Sequence, residues 1–215
     1  MAPTQYALDV FTQIIYREIP NFKADAATRQ LYSSIFAWLW RIDDAYWAEH
    51  DVFYEKWNHL GLNYDKGIWL YGDMGTGKSS AMRVMQKYMN HMRDAWHIDD
   101  PRLGFSLYSA ASIANTFACD GDAGLRKFFG KAYIENNLCI DELGREPIPA
   151  KHYGNTLNVI EHVLQCRYDN KRSCFTHLTS NVQPADIAKL YGNYIADRFK
   201  ELFNIVPLMG TSNRH

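Results

Sequence analysis

The chain has 215 residues, 47% of them hydrophobic and 14% aromatic, which suits one full domain with an appendage and excludes a disordered chain. Its 23 basic and 24 acidic residues leave a formal net charge of -1, which excludes a protein that grips duplex DNA through a general basic coat. No apolar run nears the ~20 residues of a membrane helix and no basic-then-apolar leader is present, so the expectation is a cytoplasmic protein with no membrane partner.

Residues 1–64 read as a helical N-terminal region. Leu8, Phe11, Ile14 and Ile15 keep helical spacing until Pro20, and Leu31, Ile35, Leu39 and Trp40 repeat the pattern. Residues 51–57 suggest a further short helix. For Trp38, Trp40, Trp47 and Trp57 core packing is the commoner reading, and a partner-binding surface is the alternative.

From Lys66 the texture changes to short apolar runs alternating with helical stretches. Strands are expected at 67–71, 105–109, 137–141, 174–179 and 205–209. Helices are expected at 79–93, 110–118, 155–168, 185–190 and 194–203. Such alternation predicts an α/β fold with a mostly parallel sheet covered by helices on both faces over residues 65–215. Ligands on such sheets lie beyond the strand C-termini. Cys119, Cys139, Cys166 and Cys174 form no C-x-x-C pair and are expected to be reduced and mostly buried.

Gly72-Asp73-Met74-Gly75-Thr76-Gly77-Lys78-Ser79 matches G-x-x-x-x-G-K-[ST] in full, after an expected strand and before an expected helix. Glycines let the backbone turn its N–H groups toward phosphate oxygens. Lys78 supplies a cation for the β- and γ-phosphates, and the Ser79 hydroxyl can ligate Mg²⁺. The segment Gly72 to Ser80 is therefore the expected ATP site.

Leu138-Cys139-Ile140-Asp141-Glu142 is an apolar strand ending in two acids, and Asp141 stands 63 residues after Lys78. Asp141 is assigned to the Mg²⁺ shell and Glu142 to polarising the attacking water. The second acid separates a hydrolase, which needs a water-activating base, from a nucleotide or metabolite kinase, which does not. Asn181 closes another strand, where its amide either senses the γ-phosphate or caps the helix near Pro184. Arg198 and Arg214 are late arginines that could reach a γ-phosphate or lie solvated.

These pieces, in this order, resemble the AAA+ ATPases of the DnaC/IstB type over about residues 30–214. The resemblance rests on Lys66 to Ser79, on Ile140-Asp141-Glu142-Leu143-Gly144 with Glu146, and on Thr179-Ser180-Asn181. It rests also on Tyr191-Gly192 with Asp197-Arg198-Phe199, and on Gly210-Thr211-Ser212-Asn213-Arg214. It implies a P-loop AAA+ core without a C-terminal lid domain. Arg198 is implied as the finger offered to a neighbour's ATP, and Arg214 as the second sensor of its own subunit. The implied activity is ATP hydrolysis, and the implied partners are single-stranded DNA and a replicative helicase. Tyr194 stands where related loaders often carry a second arginine.

A finger offered across an interface implies head-to-tail self-association. Arg126, Lys127 and Lys131, with Phe128 and Phe129 among them, are candidates for the single strand. The alternative for that segment is an amphipathic helix with buried phenylalanines. Within the same fold, a transposition helper acting on duplex DNA is the alternative function.

Overall fold

The computed structural model describes residues 4–41, 60–100, 102–130, 137–170 and 174–208. Helix α1 spans Gln5–Glu18 and begins at Thr4, whose hydroxyl accepts from the Ala7 N–H. Helix α2 spans Ala26–Trp40 and begins at Asp25, whose carboxylate accepts from Thr28 N–H at 2.8 Å. These bonds satisfy N-terminal amides that the helix itself leaves open. The bond to Thr28 also holds the Asp25 carboxyl below its ordinary pKa.

Strand β1 (Gly67–Tyr71) leads to α3 (Lys78–Trp96), and β2 (Ser106–Ser109) leads to α4 (Ala110–Leu125). Strand β3 (Leu138–Leu143) precedes an antiparallel pair, β4 (Ala150–His152) and β5 (Asn155–Leu157). Helix α5 (Val159–Asp169), strand β6 (Thr176–Ser180), helix α6 (Ile187–Leu202) and strand β7 (Phe203–Pro207) complete the described chain. Five strands form one parallel sheet in the order β2-β3-β6-β1-β7.

Alternation along the strands divides the core into two layers. Ile68, Leu70, Cys139 and Val206 face α1, α2 and α3 on one side. Trp69, Leu138, Ile140 and Leu178 face α4, α5 and α6 on the other. Tyr88 of α3 fastens the N-terminal helices to the first layer. Its hydroxyl donates to Ala7 O at 3.0 Å and accepts from Trp40 Nε1 at 3.1 Å. Trp38 is fully buried, and its Nε1 donates to Lys66 O at 3.0 Å, as the core-packing reading requires. Arg102 donates at the C-terminal end of α2 to Trp38 O and Leu39 O, where a cation meets carbonyls of the last turn, and pairs with Asp100.

Several boundaries depart from the sequence expectation. The helix expected at 155–168 begins only at Val159, because residues 150–157 form the β4–β5 hairpin. Tyr153 and Gly154, at φ 43° and 86°, make its two-residue turn with left-handed backbone at both positions. The helix expected to end at 118 continues to Leu125, broken only at Gly121 (φ 61°, ψ −153°), where an added Cβ would meet the His152 ring of the hairpin. Residues 185–190 and 194–203 fall largely within α6, which breaks at Gly192; Pro184–Asp186 is a single 3-10 turn and Phe203 is already strand. Cys139 and Cys174 are buried thiols, raised in pKa by desolvation, whereas Cys119 is exposed. The short helix expected at 51–57, Trp47 and Trp57 lie outside the described residues. Among the described residues no helix is long and apolar enough to cross a membrane.

Candidate nucleotide site

The loop after β1 turns back at Gly72, whose φ of 146° and close approach to Leu208 O leave no room for a side chain: an added Cβ would lie 2.2 Å from that oxygen. Gly77, at φ 92°, caps α3 in the left-handed conformation and aims the first turn of the helix back over the loop. A helix N-terminus facing a ring of backbone amides favours an anion. Lys78 is the first residue of that helix. Its ammonium donates to Gly72 O at 2.9 Å and Asp73 O at 2.6 Å, and more weakly to Thr76 Oγ1 at 3.4 Å. Burial lowers its pKa, opposed by the charges of Asp73 and Asp141.

Ser79 follows on the same turn and donates to Asp141 Oδ1 at 2.8 Å. The same carboxylate oxygen accepts a hydrogen bond from Thr179 Oγ1. Thr179 in turn accepts from the Glu142 N–H at 2.9 Å. This hydroxyl therefore joins the end of β3 to the end of β6, where their register shifts between Ile140 and Leu143. Glu142 occupies the irregularity with φ 56°, a conformation that β-strand residues other than glycine rarely adopt. Its carboxylate pairs with Arg145 at 2.9 Å.

The loop beyond is held from beneath. Glu146, only 7% exposed, accepts from Gly144 N–H at 2.8 Å and from Tyr191 OH at 2.5 Å. Desolvation and the Glu146 charge push the Tyr191 phenol well above its ordinary range.

A cavity of about 690 Å³ brings these groups together. Met74 to Ser80, Asp141, Glu142 and Asn181 line it. Gly72 and Asp73 contribute from behind, through the carbonyls that hold Lys78. Asn181 is exposed, and the 3-10 turn at Pro184 has Gln183 as its N-cap with no side-chain bond, so Asn181 is not a cap. Arg198 is placed elsewhere, on α6 between Tyr168 and Tyr194. Arg214 lies outside the described residues.

Other wall residues escaped the sequence reading. Ile19, Asn21, Phe22, Lys23, Leu31 and Tyr32 bring the α1–α2 segment into the cavity, and Arg83 joins from α3. No motif marks them, since they are ordinary apolar and polar residues of a helical connection. Thr179 and Ser180 entered the sequence reading only as part of the Thr179-Ser180-Asn181 run, without a role, although hydroxyls at the end of a strand buried along its whole length are a usable signal. Buried hydroxyls need partners, and theirs are Asp141, Glu142 N–H, Leu143 O and Val182 N–H.

The basic segment after α4 also divides. Phe128 is buried and Phe129 half-buried, as in the amphipathic alternative, whereas Arg126 and Lys127 are exposed. Lys127 lies over the Tyr108 and Phe128 rings, and Lys131 is outside the described residues. A more exposed aromatic group is Tyr153, at the tip of the β4–β5 hairpin and 94% accessible.

No protein-family model matches the chain, and no curated protein sequence does. Its architecture is nevertheless shared. The crystal structure of the DnaC helicase loader superposes with a TM-score of 0.56 at 15% identity, covering 89% of this chain and 96% of that one. A putative primosome component from Streptococcus pyogenes superposes with a TM-score of 0.57 at 17% identity, covering 94% and 98%. The replication initiator DnaA bound to AMPPCP and single-stranded DNA gives 0.52 at 16% identity, covering 89% of this chain and 49% of that one.

Proposed function

We propose that this chain, which has the fold of the DnaC-type AAA+ helicase loaders, binds and hydrolyses ATP and serves DNA replication as a loader-like factor assembling on single-stranded DNA. The observation that carries the reading is the convergence of Ser79 and Thr179 on one oxygen of Asp141, beside Lys78 and in the same cavity as Glu142. A hydroxyl at the first turn of a phosphate-loop helix, facing a carboxylate and a second hydroxyl from the neighbouring strand ends, suits a polyphosphate carried with a divalent cation.

The donor set also fits Mg²⁺. Ser79 Oγ and the Asp141 carboxylate are hard oxygen donors, and this ion takes few protein ligands while keeping water and phosphate oxygens. Ser79 would hold it directly and Asp141 through water; when bound, it offsets charge on the β- and γ-phosphate oxygens. The chain's own groups do the rest. Loop amides and Lys78 hold the phosphates, Asn181 orients the attacking water, and Glu142 takes its proton. Arg198 does not line its own cavity, which suits a role on the nucleotide of a neighbour stacked head to tail. Arg214 completes the proposed set from the C-terminal end.

Single-stranded DNA is supported by Arg126, Lys127 and the exposed ring of Tyr153, since charge and base stacking together suit a strand with open bases. The superposed initiator was itself captured with a single strand and a triphosphate analogue. A replicative helicase is the proposed protein partner, and the cytoplasm the proposed compartment.

Calorimetry with ATP and Mg²⁺ tests the nucleotide, and release of free phosphate tests hydrolysis against transfer to an acceptor. Fluorescence anisotropy with labelled oligonucleotides tests the DNA. The reading requires heat of ATP uptake, free phosphate, and tighter binding of single than of double strands when ATP is present. Preference for duplex would instead favour the transposition-helper alternative.

A further inference from the structure

The Arg198 side chain, 24% exposed, is held between two tyrosines. Its guanidinium carbon lies 4.1 Å from the centroid of the Tyr168 ring and 4.5 Å from that of Tyr194. Nη1 donates to the Tyr168 hydroxyl at 2.6 Å and Nη2 to the Tyr194 hydroxyl at 3.0 Å. Glu201 accepts from the Tyr168 hydroxyl at 2.8 Å and stands 3.7 Å from Nη1. The site is assembled from two helices, with Tyr168 on α5 and the other three residues on α6. Tyr194 remains 55% exposed, so the clamp lies on the outside of the molecule.

We propose that Tyr168 and Tyr194 are positioning residues that hold Arg198 in the geometry it needs to reach a neighbouring subunit's γ-phosphate. The proposal rests on the finger role of Arg198 given above. A free arginine side chain samples many rotamers, and ordering it when the subunits meet would cost entropy at the moment of assembly. The two rings beside the guanidinium and the two hydroxyls that accept from it restrict that freedom beforehand. Nε–H is buried, and the second hydrogens of Nη1 and Nη2 are the donors left for a phosphate oxygen.

The test uses full-length Tyr194→Ala, Tyr194→Phe and Arg198→Ala. We expect Tyr194→Ala to lower kcat by about tenfold with KM changed less than about twofold and an unchanged melting temperature. Tyr194→Phe, which keeps the ring, should lose less. The decisive arm mixes Tyr194→Ala with Glu142→Gln subunits. The latter hydrolyse ATP far more slowly but bring an intact clamp, so the mixture should exceed the activity of either variant alone. No gain on mixing, or a melting temperature that falls in parallel with kcat, would overturn the positioning role. Full activity of Tyr194→Ala beside an inactive Arg198→Ala would overturn the clamp and leave the finger standing. Full activity of Arg198→Ala would instead remove the finger itself.

Discussion

Thr179 donates its hydroxyl to Asp141 while accepting the backbone N–H of Glu142, so one side chain governs both acids at the end of β3. The threonine is 1% exposed and has no solvent to substitute for either partner. It fixes the Asp141 oxygen that Ser79 also contacts, and it stabilises the left-handed backbone at Glu142.

Replacing Thr179 with valine keeps the shape and removes both bonds. The Glu142 N–H is then buried without a partner, a loss of about 1–3 kcal/mol. Denaturant unfolding should record that loss, and phosphate release should slow, while Thr179→Ser should retain both properties. Wild-type turnover in Thr179→Val would show that the hydroxyl does not organise the acids.

Glu142→Gln should bind ATP as tightly as the parent chain and hydrolyse it about 10²–10⁴-fold more slowly, because an amide cannot accept the proton of water. The pairing with Arg145 is also lost, yet it is an exposed pair worth little, so stability should barely change. Single-turnover hydrolysis and equilibrium nucleotide titration separate the two effects.

Tyr88→Phe removes the bonds to Ala7 O and Trp40 Nε1; Ala7 O keeps its place in the α1 ladder, whereas the indole N–H loses its partner. A cost of about 1–3 kcal/mol is expected from the stranded indole N–H. Because the segment between α1 and α2 lines the cavity through Asn21 and Phe22, nucleotide affinity should fall in the same variant. Thermal melting with and without ATP measures both.

His177 predicts a pH dependence. It is fully buried on β6, accepts the Ile68 N–H on Nδ1 at 3.1 Å, and lies against Trp38 and Phe105. Desolvation, reinforced by the Arg167 charge, lowers its pKa from 6.5 to about 3. The unfolded chain therefore takes up a proton below about pH 6.5 that the folded chain refuses until about pH 3. Stability contributed by this group is complete above that window and falls as pH drops through it, with a limiting slope of about 1.4 kcal/mol per pH unit. His177→Phe should be less stable at neutral pH, since Ile68 N–H loses its acceptor, but its stability should decline less steeply between pH 6.5 and pH 3. Parallel pH profiles would contradict the assignment.

The residues that announce themselves in the sequence are those whose chemistry depends on near neighbours in the chain. Gly72 to Ser79 is legible because a loop, a lysine and a helix start must follow one another to enclose a phosphate, and Asp141-Glu142 because an apolar strand ends on them. The parallel sheet followed from apolar runs alternating with helical ones. The β4–β5 hairpin did not, since Asn155 and Leu157 fit a helical pattern as well as a strand until the left-handed turn at Tyr153 and Gly154 is seen. Contacts between distant segments were beyond the sequence altogether. Only packing brings Phe22 and Tyr32 to the cavity wall, sets Thr179 between two acids, and folds Tyr168 and Tyr194 around Arg198. Short-range spacing is written into a chain by the geometry of its backbone, whereas which side chains meet across the sheet depends on how the helices close over both of its faces.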